Sequence, residues 1–198
     1  MITVISCDKS YNTDKYFEYQ KSFNKEFINQ FPRKLICSSY NIFSNTNTEK
    51  NNVGLLLLEK FSDSKSIIEI RNQISKLAIA KYYSKDNFLL IVNQFETYDS
   101  NEKMTMPKID SLSILRDCEK KKFPIPNFID FKQENKNNKL HIDDSFELFI
   151  LESKPNNYFK KFKLQQNPQM CYKWKNGYSK GVAISTKNNE IIYWSILW

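Results

Sequence analysis

The spacing of apolar residues predicts three helices along the chain. The clearest begins at Ser66, where Glu69 three residues later completes a capping-box pattern, and isoleucines at helical spacing continue it to about Tyr83. An aromatic stripe predicts an earlier helix that Pro32 ends, and a third precedes two prolines that favour extended backbone. The predicted helices span residues 13–31, 66–83 and 109–122.

Short apolar runs between these helices predict six strands. They span residues 34–43, 55–61, 88–95, 146–151, 181–186 and 190–198. Lys187-Asn188-Asn189 joins the last two strands as a hairpin, and the last strand is apolar on both faces, which is typical of a central strand. Residues 54–95 form a strand–helix–strand unit, in which the two strands are either parallel or antiparallel.

This order of elements predicts an α+β fold, with about six strands in a mostly antiparallel sheet and two or three helices packed on one face. An apolar fraction of 40% and fifteen phenylalanines are enough for a substantial core. We therefore expect one domain over residues 13–198, preceded by a signal remnant and tether over residues 1–12.

The first residues carry an apolar run that ends in a cysteine. Val4-Ile5-Ser6-Cys7 resembles the bacterial lipobox, in which a branched apolar residue and a small residue precede the cysteine that is lipidated. The resemblance implies a lipoprotein whose signal peptide is truncated, because only five residues precede Ser6 and none is basic. The alternative is a short apolar strand with a buried cysteine, and the protein is then cytoplasmic.

The cysteines and the metal-binding residue types limit the chemistry. If Cys7 carries lipid, Cys37, Cys118 and Cys171 allow one disulfide and one free thiol, and the sequence does not choose the pair. The sequence has no C-x-x-C motif and a single histidine, so we expect no metal and no cofactor. His141-Ile142-Asp143-Asp144 is interpreted as a polar turn in which an aspartate accepts bonds from local backbone N–H groups.

Net charge is +8, and its distribution is uneven. Seven lysines and no acid lie between Lys154 and Lys180, but the whole chain has only three arginines, so nucleic acid is an unlikely partner. The segment is interpreted as a solvated face, or as a surface for an acidic partner, such as an acidic protein, or for an anionic membrane. Its candidate contact residues include one tryptophan predicted to be exposed: Lys160, Lys161, Lys163, Lys173, Trp174 and Lys175.

Two patterns suggest catalysis weakly. Gly177-Tyr178-Ser179-Lys180-Gly181 matches the G-x-S-x-G nucleophile elbow, but a strand follows it, so we expect a turn that enters the final hairpin. Glu147 and Glu152 differ by an odd number of residues, so on a regular strand they would point to opposite faces.

The sequence thus favours a non-enzymatic, lipid-anchored envelope protein that binds a macromolecule, of the immunity or accessory type. No catalytic residue is assigned, and membrane contact is expected through the lipid anchor on Cys7. Two alternatives stay open. One is a divergent hydrolase that uses carboxylates or Ser179, and the other is a basic nucleic-acid-binding protein.

Overall fold

The computed structural model describes residues 11–35, 39–45, 52–96, 108–117, 122–128, 142–158 and 164–198. Within them six strands form one antiparallel sheet in the order β1-β2-β6-β5-β4-β3, which confirms the predicted α+β class. The strands are β1 (Ser39–Asn45), β2 (Val53–Lys60), β3 (Ala80–Tyr83), β4 (Glu147–Pro155), β5 (Gly177–Ser185) and β6 (Glu190–Leu197). The helices are α1 (Tyr11–Lys21), α2 (Lys25–Ile28), α3 (Ser64–Leu77) and α4 (Ser111–Asp117).

The β5–β6 hairpin forms the middle of the sheet. Ile192, Trp194 and Trp198 enter the core on one side, while Ile191 and Tyr193 enter the core on the other. This is the alternation expected of a strand that is buried on both faces. The prediction that the last strand is central is therefore confirmed.

One side of the sheet, the helix-covered face, packs against α1, α2 and α3. Helix residues Tyr16, Phe27 and Ile67 are buried there against the sheet. The single helix predicted over residues 13–31 is two helices, with a break at Ser22–Asn24. The Tyr16 hydroxyl donates to the Pro32 carbonyl at 2.6 Å, and this bond joins the two ends of the helical segment.

The helix α3 starts and stops earlier than the sequence predicts. Its cap is Asp63, whose carboxylate accepts a bond from the Ser66 N–H at 2.8 Å. The helix ends at Leu77, and the residues predicted to be its last turn form β3 instead. Tyr82 explains the change, since its ring is buried against the sheet core and its hydroxyl accepts a bond from the Phe123 N–H. Tertiary contacts thus override a continuing helical pattern.

The other side, the loop-covered face, is packed against irregular segments and α4. The strand predicted over residues 88–95 is wrong, because among the described residues this segment makes a single parallel bridge, between Ile91 and Ile125. Pro124 and Pro126 have no N–H groups, so in that segment Ile125 is the residue that can donate to a neighbouring strand. Ile125 donates to the Leu90 carbonyl and accepts from Val92, and the pairing ends there.

Buried amides hold this irregular layer together. Asn167 donates to the Asn93 side chain at 2.6 Å and accepts from the Gln169 N–H, and Gln169 accepts from the Phe95 N–H. Asn127 donates to the Asn93 carbonyl at 2.9 Å. Asn93 has a φ of 56°, a left-handed conformation that asparagine tolerates well. Side-chain bonds therefore take the place of a regular ladder in this layer.

Two glycines of β5 allow the indole rings of β6 to lie flat against the neighbouring strand. Gly181 pairs with Trp194, and Gly177 exchanges backbone bonds of 2.9 and 3.0 Å with Trp198. A β-carbon added at Gly181 would overlap the Trp194 ring and the Phe149 carbonyl oxygen. One added at Gly177 would lie 2.9 Å from Cζ2 of Trp198. Close ring packing, rather than a turn, explains both glycines.

We predict that Gly181→Ala lowers the free energy of unfolding by about 3 kcal/mol, because the added methyl overpacks the core. Gly54→Ala is the matched control. Its β-carbon would lie 3.2 Å from the Ser195 carbonyl oxygen, a tight but smaller conflict, and we expect a loss of about 1 kcal/mol or less. Urea unfolding followed by tryptophan fluorescence measures both, and equal losses would contradict the ring-packing explanation.

Candidate functional site

The G-x-S-x-G match lies inside strand β5, so the turn predicted there is wrong. Ser179 is fully buried, and the indole N–H of Trp194 donates to its Oγ at 3.4 Å. A nucleophile elbow instead presents its serine on a sharp turn between a strand and a helix. Ser179 is therefore a core residue, and the structure does not place it where a substrate could reach it.

A β-bulge in β4 changes the relation between its two glutamates. The register shifts between Ile150 and Glu152, and such a bulge reverses the alternation of side chains beyond it. Glu147 contacts Arg71 of α3, and Glu152 lies opposite Lys180, so both carboxylates lie on the helix-covered face. The prediction that they point to opposite faces is wrong.

The two carboxylates still do not form a catalytic pair. Glu147 is opposite Ile184 and Glu152 is opposite Lys180, which puts them four residues apart along β5, or roughly 13 Å. Carboxylates that act together in glycoside hydrolysis are about 5 to 9.5 Å apart, and those of aspartic proteases are closer still. Each glutamate is instead the centre of its own group of charged residues.

Glu152 brings together the two lysines that bound the basic segment. Lys154 Nζ is 2.7 Å from one carboxylate oxygen, and Lys180 Nζ is 2.9 Å from the other. The Lys180 side chain is only 8% exposed, and its ammonium group also donates to the Glu26 carbonyl at 2.6 Å and to the Asn29 side chain. Lys180 therefore fastens the α2 region to the sheet, and Glu152 compensates its buried charge.

Two opposing effects act on the pKa of Glu152. Burial is the largest single effect and favours the neutral acid, but hydrogen bonds from Lys154, Tyr178 and Lys180 together outweigh it. The pKa falls from the usual 4.5 to about 2. Burial, followed by the bond to Glu152, raises the pKa of Tyr178, which stays a neutral donor. The group is thus a fixed ion pair at neutral pH.

Glu147 centres the second charged group. Arg71 of α3 donates to it through two nitrogens, one at 2.9 Å, and Lys81 of β3 contacts the same carboxylate. The bonds from Arg71 lower the pKa of Glu147, burial opposes them, and Lys81 adds to the lowering. This arrangement ties a helix and an edge strand to β4, which is the role of a structural ion-pair network.

The candidate contact residues of the basic segment divide into three sets. Trp174 is buried against the Trp198 ring, and its carbonyl accepts the Trp198 indole N–H at 2.7 Å, so the prediction that it is exposed is wrong. Lys173 is exposed, and half-buried Lys175 donates to the Asn167 carbonyl. The remaining three lie outside the described residues: Lys160, Lys161 and Lys163.

Tyr172 is the aromatic residue of this segment that reaches solvent, with 80% of its surface exposed. It lies in a short turn of 3-10 helix, Tyr172–Trp174, between buried Cys171 and buried Trp174. The sequence prediction chose the wrong aromatic residue because it judged exposure from the flanking lysines. A 3-10 helix has three residues per turn, so residues 171 and 174 both face inwards while residue 172 faces outwards. This spacing would have identified Tyr172 as the exposed aromatic residue.

The Asp143 turn is confirmed. Its carboxylate accepts from the Ser145 N–H at 2.8 Å and from the Asn188 side chain at 2.7 Å, so it joins this turn to the β5–β6 hairpin loop. His141 lies outside the described residues. Within the described ranges, no group of three or more histidine, cysteine, aspartate or glutamate side chains could hold a metal ion.

Cys171 is disulfide-bonded and buried in the core of the loop-covered face. The other cysteines of the chain, Cys7, Cys37 and Cys118, lie outside the described residues, and so does the predicted lipidation site with them. The short turn that carries Tyr172 and Lys173 begins directly after this cysteine. The disulfide is the one covalent modification seen in the described part of the chain.

No protein-family model, curated protein or solved structure matches this chain. Among the described helices, none is both long enough and apolar enough to span a membrane.

We predict that Glu152→Gln lowers the free energy of unfolding by about 1 to 2 kcal/mol near neutral pH, since Lys180 loses its counter-charge. The folded-state pKa of Glu152 is below its unfolded value, so its contribution is complete above about pH 4.5 and is lost as the pH falls toward 2. Urea unfolding at several pH values should therefore show the wild type and variant converging in acid. Exposed Glu69→Gln is the control, and a gap for Glu152→Gln that does not narrow in acid would contradict the assignment.

Proposed function

We propose that the protein is exported and anchored by lipid on Cys7, and that it acts by binding a macromolecule. The observation that carries this proposal is the disulfide at Cys171. Disulfides persist in oxidising compartments such as the periplasm and the cell surface, and are rare where thiols are kept reduced. The bond and the lipobox-like Val4-Ile5-Ser6-Cys7 are independent features, and they favour the same side of the membrane.

The placement of the reactive side chains supports binding over catalysis. Ser179 is enclosed by the core, and Glu147 and Glu152 each hold cationic side chains that join structural layers. A catalytic acid or base needs a position from which it can reach the proton that it transfers. Ser179 and the two glutamates weighed as an example of a carboxylate pair therefore each have a structural role.

The charge arrangement favours an acidic protein partner over nucleic acid. Glu152 pairs with both Lys154 and Lys180, the two ends of the basic segment, so its negative charge offsets one of their two positive charges and leaves fewer cations for phosphates. Exposed Tyr172 and Lys173 stay available on the disulfide-bonded turn. A rigid aromatic residue beside a cation is a common anchor in protein interfaces. We therefore propose an immunity or accessory role with contacts through this turn.

Export predicts that Cys171 is oxidised in the cell. We expect an alkylating reagent, applied to acid-quenched and denatured cells, to modify Cys171 only after reduction, as read by peptide mass spectrometry. Single replacements of Cys37 and Cys118 by alanine identify the partner, because one of them alone should release the Cys171 thiol. Complete alkylation of Cys171 without reduction would contradict export.

Lipidation predicts that cells expressing the natural gene with its upstream sequence incorporate labelled palmitate into the protein. Cys7→Ser should abolish the label, because serine has no thiol to receive the lipid. Ser10→Ala, a substitution of similar size in the predicted tether, should retain it. A wild-type protein without label would refute the anchor while leaving the disulfide result unaffected.

A further inference from the structure

Four large apolar side chains are exposed in the segment that carries the edge strand β3. Leu77 ends α3, Ile79 precedes β3, Tyr83 is its last residue and Phe88 follows the next turn, with exposures of 67%, 53%, 43% and 68%. We call these four residues the edge patch. They fall within twelve residues of one another, and a concentration of exposed apolar side chains of this kind marks an interaction surface.

Strand alternation explains why the edge patch stays outside the core. Ala80 and Tyr82 face the loop-covered core, so Ile79, Lys81 and Tyr83 share the opposite side of β3. There the ammonium group of Lys81 lies over the Tyr83 ring, 4.9 Å from its centre, and Lys85 lies over the same ring at 5.9 Å. Apolar and cationic groups are therefore interleaved at this edge.

The backbone of this edge is poorly suited to pairing with a strand of another protein. The Tyr83 N–H donates to the Asp86 carboxylate at 3.0 Å, and the Asp86 N–H donates to the Tyr83 carbonyl at the same distance. The N–H and carbonyl groups of Tyr83 are therefore already bonded, and a strand of only four residues has few other backbone groups with which an added strand could pair. Contacts at this edge are therefore made by side chains.

The exposed charge beside the edge patch is mainly that of two lysines. Residues 76–88 contain Lys76, Lys81 and Lys85 and one acid, Asp86; the charge of Lys81 is offset by Glu147, whereas Lys76 and Lys85 are exposed. Lysine can lay its apolar stem along a hydrophobic surface while its charge reaches an anionic group. Exposed leucine, isoleucine and phenylalanine with lysines between them match an anionic lipid surface, which offers acyl chains and phosphate together.

We propose that the edge patch is a membrane-docking surface that inserts Leu77, Ile79 and Phe88 among anionic lipids, while the neighbouring lysines contact the headgroups. This proposal deepens the proposed membrane tether, because a lipid on Cys7 holds the protein near a bilayer and the edge patch would then orient it. An anchor at the end of a polar tether leaves the domain free to turn, so a second membrane contact has a clear physical use: it fixes which face meets the bilayer.

The test uses the full chain with Cys7→Ser, which carries no lipid, and vesicles of phosphatidylcholine with or without phosphatidylglycerol. We expect co-sedimentation with the anionic vesicles, weakened by salt because lysines contribute. Leu77→Ser with Phe88→Ser should reduce binding about tenfold or more. Leu112→Ser with Leu115→Ser is the matched control on α4, since these leucines are 68% and 64% exposed, and it should bind as the parent does.

Three outcomes would overturn the proposal: the parent fails to bind anionic vesicles, the control pair loses as much binding as the edge-patch pair, or the parent forms dimers that the edge-patch pair abolishes. The last outcome would assign the edge patch to a second copy of the chain. Circular dichroism of both double variants confirms folding. The vesicle experiment uses a protein without lipid, so its outcome is independent of the palmitate experiment. A lack of vesicle binding would not affect the evidence for lipidation, and a lack of palmitate label would not affect the vesicle result.

Discussion

The structure depends on the close packing of two indole rings against two glycines. Trp194 and Trp198 can lie on β5 because Gly181 and Gly177 present no side chain there. This packing holds together the central hairpin, to which β2 pairs on one side and β4 on the other. It also attaches both outer layers, because Trp198 bonds to the Trp174 carbonyl and Gln30 donates to the Trp194 carbonyl at 2.7 Å.

Because the central hairpin is covered on both faces, polar groups near it have little contact with water. The charged residues of the sheet therefore form hydrogen bonds and ion pairs with other protein groups. Lys180 reaches a helix carbonyl and the Glu152 carboxylate, and Glu147 receives Arg71 and Lys81. The same requirement produces the amide network around Asn93 and Asn167 on the loop-covered face. Polar side chains of types that often act in catalysis thus serve here as hydrogen-bond partners for one another.

The features that follow from local pattern were predictable, and those that depend on distant contacts were not. The alternation in β6 fixed its central place, and the Asp143 turn followed from local hydrogen bonding. The β-bulge in β4 cannot be recognised from the sequence spacing of Glu147 and Glu152, so the side of the sheet on which Glu152 lies could not be predicted. Likewise, Trp174 is buried by Trp198, which is 24 positions away, so its flanking lysines misled the prediction. The strand order also has no signature in local periodicity.

The position of the central hairpin in the chain order constrains how the sheet can be assembled. Residues 177–197 follow all the other strands, yet they separate β2 from β4 and supply the pairing edges of both. Lys60 and its partner Glu190, for example, are 130 positions apart. During synthesis β1 can pair with β2 and β3 with β4, but the two pairs cannot join into one sheet until these residues emerge, and contacts so distant in sequence form slowly. The last strands to be made are therefore the ones that turn two separate strand pairs into a single sheet.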